Sequence, residues 1–331
     1  VKWPADCKDA NDVLQKLGSE ALSDAIGEAE AMPLEGVYSA DDYALEISNL
    51  YDKGLVGGIS TGLTSVDKLF TIVPGQLSVV TGLPGSGKSE FIDQIMVNLA
   101  QSEGWKFAVA SFENPPPLHI AKLSEKFVGK PFFEGSADRM SRIESVNAMK
   151  WVSDHFLFLE QRGGDSATIE SILDRARQAV MRLGIRGLVI DPYNYIAQSK
   201  SVDNEHQGIN EMLTKLVSFA RANQIHIWFI AHPAKMATNP DGTTAVPKGM
   251  NISGSAAFFA KADLGVTVHL SPEKDTEIHV WKCRFKWIGT TGGTVLGYDI
   301  PTGRYSEVKW DNLENPYEPS RDFNETDDDW L

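Results

Sequence analysis

Ser78-Val79-Val80-Thr81-Gly82-Leu83-Pro84-Gly85-Ser86-Gly87-Lys88-Ser89 is an apolar strand running into a glycine-rich loop that ends in Lys-Ser. Gly82, Gly87, Lys88 and Ser89 satisfy G-x-x-x-x-G-K-[ST] in full. The glycines let the backbone curl so that its N–H groups point inward at a polyphosphate. Lys88 then reaches the β and γ oxygens and the Ser89 hydroxyl can ligate Mg²⁺. A helix is expected from about Lys88 to Ala100, and its N-terminus favours the same anion. The segment expected to hold a nucleotide is Gly82, Pro84, Gly85, Ser86, Gly87, Lys88, Ser89 and Glu90. A glycine-rich turn without a ligand is the bland alternative, and the strand-loop-helix context argues against it.

Outward from the loop the chain alternates strand and helix. Strands are expected at Lys106–Phe112, Phe156–Leu159, Gly187–Ile190 and Ile225–Ala231, with helical patterns near Leu118–Val128 and Arg139–Asp154 and others ending near Leu183 and Asn223. This alternation predicts an α/β fold with a mostly parallel sheet covered on both faces. Ligands of such sheets bind at the carboxyl ends of the strands, where Glu113, Asp191 and His232 fall. Asp191 follows Leu188-Val189-Ile190, so a buried strand delivers one carboxylate to the metal's water shell. At Glu113 the spacing fits a solvated strand-end acid as well as a base for the water attacking a γ-phosphate. His232 could contact that phosphate, although spacing alone favours a structural histidine.

The stretch from Pro233 to Ser253 lacks periodicity and is rich in Gly, Pro, Thr and Asn, with Lys235 and Lys248 near its ends. Long loops in compact domains are usually functional or disordered. The last third is strand-rich. In Val280–Trp287, strict alternation would put Lys282, Arg284 and Lys286 on one face and Trp281, Cys283, Phe285 and Trp287 on a core face. The basic face is either solvated or projected into a neighbour's active site.

Before Gly58 the patterns are weaker. Two short helical stretches flank Gly18, and a Pro33/Gly36 linker follows. A capping box at Ser39 and Asp42 then opens a helix over 40–53 carrying Tyr43, Ile47, Leu50 and Tyr51, which stops at Gly54. That stripe packs either on its own domain or on a neighbouring subunit.

With 42% hydrophobic residues the 331-residue chain can bury a substantial core. Its apolar runs are too short to span a membrane, and Val1-Lys2-Trp3-Pro4 lacks a signal-peptide layout, so a soluble intracellular protein is expected. Cys7 and Cys283 are too far apart in sequence to suggest a disulfide framework or zinc ribbon. The net charge of −14 argues against a broadly nucleic-acid-coating surface, but much of the acid sits in the tail beyond residue 309, which is expected to be mobile.

The phosphate loop, Glu113, Leu188–Asp191, His232-Pro233-Ala234-Lys235, Gly254-Ser255-Ala256 and Lys282-Cys283-Arg284-Phe285 occur in the order seen in DnaB-type hexameric replicative helicases. The resemblance covers about Gly58 to Tyr305 and is closest to the helicase half of phage primase-helicases and mitochondrial Twinkle. It implies a RecA-like P-loop NTPase core at 58–308 with a β-rich C-terminal part. Lys8-Asp9-Ala10-Asn11-Asp12-Val13-Leu14 is similar to the C-terminal end of a Toprim primase domain. Residues 1–35 would then be a primase remnant and 36–57 a linker whose helix docks on the adjacent subunit.

By the same resemblance, Lys88 and Ser89 bind ATP (or another NTP or dNTP) and Mg²⁺, Asp191 completes the metal shell, Glu113 is the base and His232 senses the γ-phosphate. Lys282 and Arg284 act across the subunit interface, and Tyr298 stacks on the base. Lys235, Lys248 and Asn251 line a channel for single-stranded DNA. The implied partners are copies of the chain in a hexameric ring, with primase, polymerase and single-strand-binding protein. The implied location is a bacterial or phage-infected cytoplasm or an organelle matrix. A RecA-like recombinase or regulatory ATPase would share the loop, Glu113 and Asp191 without strand separation. A nucleotide-held clamp would bind without turnover.

Overall fold

The computed structural model describes residues 1–29, 36–55, 57–135, 137–160, 168–191, 205–234, 236, 244–252, 255–271 and 274–308. Lys235, Gly254 and the acidic tail lie outside the described residues, and with them the expectations placed there. Internal contacts divide the chain into two compact units, Val1–Val56 and Gly57–Leu331.

In the first unit α1 (Ala10–Gly27) begins at Asp9, whose carboxylate accepts from the Asp12 N–H at 2.8 Å. Gly18, at φ +89° and ψ 175°, breaks it into the two stretches that the sequence suggests. The helix at 40–53 is less regular than expected. It enters through a single 3₁₀ turn at Asp41–Tyr43 and becomes α2 over Ala44–Lys53. The box at its start is only half formed. The Asp42 carboxylate accepts from the Ser39 N–H at 2.6 Å and also captures the Ser39 hydroxyl at 2.9 Å, which the box would need as an acceptor. No residue of α2 is buried within its unit.

The second unit carries a nine-stranded sheet. Its strands are β1 (Leu77–Thr81), β2 (Phe107–Ser111), β3 (Phe156–Phe158), β4 (Gly187–Asp191), β5 (His226–Ile230), β6 (Leu264–Leu270), β7 (Thr276–Cys283), β8 (Gly292–Asp299) and β9 (Arg304–Glu307), in the order β3-β2-β4-β5-β1-β6-β7-β8-β9. The strands from β3 to β6 pair in parallel, and β6 to β9 form an antiparallel meander. β1, β4 and β5 are buried throughout, as parallel strands covered on both faces must be.

Alternate residues supply two cores. Val80, Val109 and Val189 join one with Val66, Phe91, Ile95, Leu123 and Val152, from the short α3 (Thr64–Asp67), α4 (Lys88–Glu103), α5 (Pro116–Val128) and α6 (Arg142–His155). Val79, Ala108 and Leu188 join the other with Ile172, Leu216 and Phe258, from α7 (Ile169–Leu183), α8 (Glu205–Asn223) and α9 (Ser255–Lys261). Helix ends follow local chemistry. α5 opens on prolines, α6 on a capping box of Ser141 and Glu144, and α4, α5 and α7 stop at left-handed Gly104, Gly129 and Gly184.

The strict alternation expected over Val280–Trp287 does not hold. Against β6 the register slips between Gly265 and Val266, which oppose Lys282 and Val280, so Trp281 is the extra residue of a bulge. Val280 and Cys283 pack on the α4 side, whereas Trp281 packs on the α7–α9 side. The strand ends at Cys283. Trp287, expected in the core, is nearly half exposed and tilts against Phe285.

Candidate active site

β1 delivers its loop at the carboxyl rim of the sheet. Gly82 at φ +152° and Gly87 at φ +89° occupy backbone that L side chains rarely adopt. Close approach excludes a side chain as well, since a Cβ on Gly82 would lie 2.2 Å from the Val268 carbonyl oxygen and one on Gly87 2.6 Å from the Tyr305 hydroxyl. Lys88 is buried and curls over its own loop, donating to the carbonyls of Gly82 at 3.1 Å and Leu83 at 3.0 Å. Burial holds its pKa below the ordinary lysine value, while the charges of Asp191 and Glu113 act the other way.

The Ser89 hydroxyl donates to the Asp191 carboxylate at 2.5 Å. Asp191 is 3% exposed, and burial pushes its pKa up to about 6 even though the Ser89 hydrogen bond favours its charge. A cation would relieve that cost, and a hydroxyl beside a carboxylate is the oxygen donor pair that Mg²⁺ takes. Ser86 Oγ is buried in the loop with no hydrogen-bond partner among the described residues. The loop therefore fits a nucleoside polyphosphate with its magnesium.

Glu113 and His232 meet at the same rim, with His232 Nε2 3.3 Å from the Glu113 carboxylate. Both line a cleft of about 380 Å³ with Pro84, Gly85, Gly87, Lys88, Ser89 and Glu90. Glu90 faces the cleft already engaged, to Lys122 at 2.9 Å and Lys126 at 2.7 Å. Tyr298 sits on β8 with its ring 4.9 Å from that of Tyr305, and Tyr305 donates to the Gly87 carbonyl at 3.3 Å.

Several of these neighbours escape sequence reading. Lys122 and Asn114 line the cleft. Beneath it His119 Nε2 and the Asp93 carboxylate form a buried pair at 2.9 Å. Asp93 follows Ser89 by four residues, so it shares a helix face with the loop serine, and that spacing was the available signal. Tyr305 carried none, since 218 residues separate it from its partner Gly87.

Lys282 and Arg284 lie elsewhere. Leu264 at the start of β6 pairs with Ser78 at the start of β1 and with Cys283 at the end of β7. They are thus at the amino end of the parallel strands, one strand length of roughly 13 Å from the phosphate loop at about 3.3 Å per residue. Lys282 Nζ donates to the carbonyl of Phe259 and, at 3.2 Å, to that of Ala260. Lys248 is exposed and Asn251 half buried, in a 3₁₀ turn next to β5's exit. The Ala234 N–H donates to the Asn251 carbonyl at 2.6 Å, and Pro233 bridges Ile252, so the two ends of the loop that leaves His232 are tied together.

Fold and site together define an α/β P-loop nucleotide-binding domain of the RecA-like type. The family described as DnaB-like helicase C terminal domain matches residues 58–290, and the chain belongs to it. It is 42% identical over 325 residues to the Twinkle homolog protein, chloroplastic/mitochondrial, of Arabidopsis thaliana, covering 93% of this chain and 45% of that one. It is 30% identical to a probable plasmid replicative DNA helicase of Chlamydia psittaci, over 77% of this chain and 56% of that one. A DNA helicase/primase of Enterobacteria phage T3 is 23% identical over 88% of this chain and 53% of its own length. The chain thus spans about half the length of these relatives. Among solved structures, one described as an ATPase domain superposes with a TM-score of 0.68 at 16% identity, covering 82% of this chain and all of that one. A DnaB-like replicative helicase, in a study of its interactions with primase, gives 0.67 at 16% identity, over 91% of this chain and 74% of that one. Among the described residues no helix is long and apolar enough to cross a membrane.

Proposed function

We propose that this chain is the NTP-driven motor of a ring-shaped replicative DNA helicase, moving 5′ to 3′ on single-stranded DNA. The observation that carries it is the separation of cationic groups: Lys88 is at the carboxyl rim with Glu113 and Asp191, while Arg284 is a strand length away at the other end of the sheet. Arg284 cannot reach its own nucleotide, but in a head-to-tail ring that end of one copy faces the next copy's cleft.

In this reading the loop amides and Lys88 hold the phosphates, and Ser89 and Asp191 hold the metal. A magnesium ion held there would supply charge neutralisation to the phosphates. Glu113 takes the proton of the attacking water. His232, hydrogen-bonded to Glu113 at 3.3 Å, turns to the γ-phosphate when one is present and frees that carboxylate. The Arg284 of a neighbouring copy, with Lys282 beside it, stabilises the developing charge, a role worth ~10³ to 10⁵ in rate. Tyr298 stacks on the base at the cleft's edge. The loop from His232 through Lys235, Lys248 and Asn251 converts phosphate state into grip on DNA, gripping its phosphates.

The ring is a hexamer of this chain, joined by the helix of 36–57, with 1–35 the end of a Toprim-like domain and 58–308 the motor. Primase, polymerase and single-strand-binding protein are its working partners. Hydrolysis measured with and without single-stranded DNA, alongside sedimentation in the same buffer, tests the reading. Turnover that rises with DNA and tracks ring formation supports it. Turnover by a monomer indifferent to DNA would return the chain to a RecA-like regulatory ATPase.

A further inference from the structure

Arg284 is held by a residue that has no part in the phosphate site. Asp263, between α9 and β6, has a side chain 1% exposed, and its carboxylate lies 3.1 Å from Arg284 Nε. The other carboxylate oxygen accepts from the Leu77 N–H at 3.1 Å. Backbone bonds fix the same three points, since Asp263 N–H donates to the Leu77 carbonyl and Arg284 N–H to the Asp263 carbonyl, both at 2.9 Å. The far side of the guanidinium is also anchored. Nη2 donates to the carbonyls of Ala260 at 3.0 Å and of Lys261 and Ala262 at 3.4 Å, the last of α9 and its exit. Arg221 also reaches toward the carboxylate, at 3.8 Å, but its side chain is 56% exposed.

We infer that Asp263 is a positioning residue for the trans-acting arginine: its carboxylate pairs with the guanidinium charge at Nε while the end of α9 accepts from Nη2, leaving the Nη1 edge for a neighbour's phosphate. A guanidinium is a rigid plane, so bonds donated by Nη2 together with an ion pair at Nε restrain where that plane points. Asp263 Oδ1 has no hydrogen-bond partner among the described residues, so its tie to the guanidinium is one of charge at 3.1 Å, and the Arg284 side chain remains 35% exposed. A buried carboxylate is expensive without a cation, and this one faces an arginine at the molecular surface rather than a core partner. Pre-orienting the arginine this way avoids reorganisation when a neighbour's phosphate arrives.

The inference rests on the trans role proposed for Arg284, and the test separates the two. Asp263→Asn keeps the acceptor for Leu77 and removes the charge facing Nε. It should lower DNA-stimulated kcat roughly 10-fold to 100-fold, the scale set by misplacing a reacting group. KM for NTP, ring assembly and melting temperature should stay at wild-type values. In an Arg284→Ala background the same change should cost nothing further, because Asp263 acts through the arginine. Wild-type kcat in Asp263→Asn, or an equal loss in both backgrounds, would overturn the positioning role. Wild-type kcat in Arg284→Ala alone would overturn the trans role instead. Should Asp263→Asn not fold, Asp263→Glu keeps the charge and displaces it by one methylene. It should show the same kcat loss at unchanged KM, and full activity would overturn the inference.

Discussion

Lys88 gathers the residue-scale chemistry, because it is buried, charged and, among the described residues, hydrogen-bonded only to carbonyls of its own loop. In the proposed mechanism phosphate oxygens replace those two bonds. Lys88→Ala should therefore abolish NTP hydrolysis in a steady-state phosphate-release assay while the protein still folds. Retention of most turnover would mean that the loop does not hold the reacting phosphates. The His119–Asp93 pair gives a pH signature instead. Burial disfavours the charged imidazole, but the Asp93 charge and hydrogen bond outweigh it, so the His119 pKa stands above its ordinary 6.5. A raised folded-state pKa contributes stability below the unfolded value and loses it as pH rises through the folded one. The nucleotide-free protein should accordingly lose melting temperature above about pH 6.5, and His119→Gln should remove that part of the slope. An identical slope in the variant would assign it to other groups.

The bulge in β7 shows what one element contributes to the placement of Lys282 and Arg284, the two cations proposed to act in trans. Trp281 fits only because Gly265 and Gly249 leave its ring room: a Cβ on Gly265 would lie 2.3 Å from the indole, and one on Gly249 2.6 Å. Gly265→Ala should cost about 1–3 kcal/mol, as overpacking does, read as a lowered denaturant midpoint. It should also lower DNA-stimulated hydrolysis, since Lys282 follows the bulge directly. Trp281→Leu in the Gly265→Ala background should restore part of the stability. The same element marks the limit of what the sequence reveals. Period-two patterning identified a strand and its cations, and apolar runs ending in Asp191, Glu113 and His232 identified the carboxyl rim, because strand, loop and helix are local codes. The bulge, α9's hold on Arg284, and Asp263 are products of pairing between distant segments: Leu77 and Asp263 are 186 residues apart. No local window contains both partners, so a pattern of alternating side chains continued where the chain had already shifted register.

At the scale of the whole molecule, the first unit has more apolar surface than it can use. Leu45, Ile47, Leu50 and Tyr51 on α2 are 75%, 59%, 47% and 90% exposed. A ten-residue helix is marginal in water on its own, and here none of its residues is buried. Ile47, Leu50 and Tyr51 stand at i, i+3 and i+4, so they form one stripe, and burying each is worth about 1.5–3 kcal/mol for a Leu or Ile. Docking on a neighbouring copy would stabilise the helix and close the ring in one step, with each copy lending a stripe and receiving one. If the proposed hexamer is joined this way, removing residues 1–54 should give smaller species in sedimentation, with nucleotide binding kept and DNA stimulation lost, since the proposed trans contacts need neighbours. Leu50→Asp in the full chain makes the same cut without shortening it and should give the same result. If the truncated chain still sediments as a hexamer, the surfaces that join the ring belong to the second unit, and the stripe on α2 has no part in assembly.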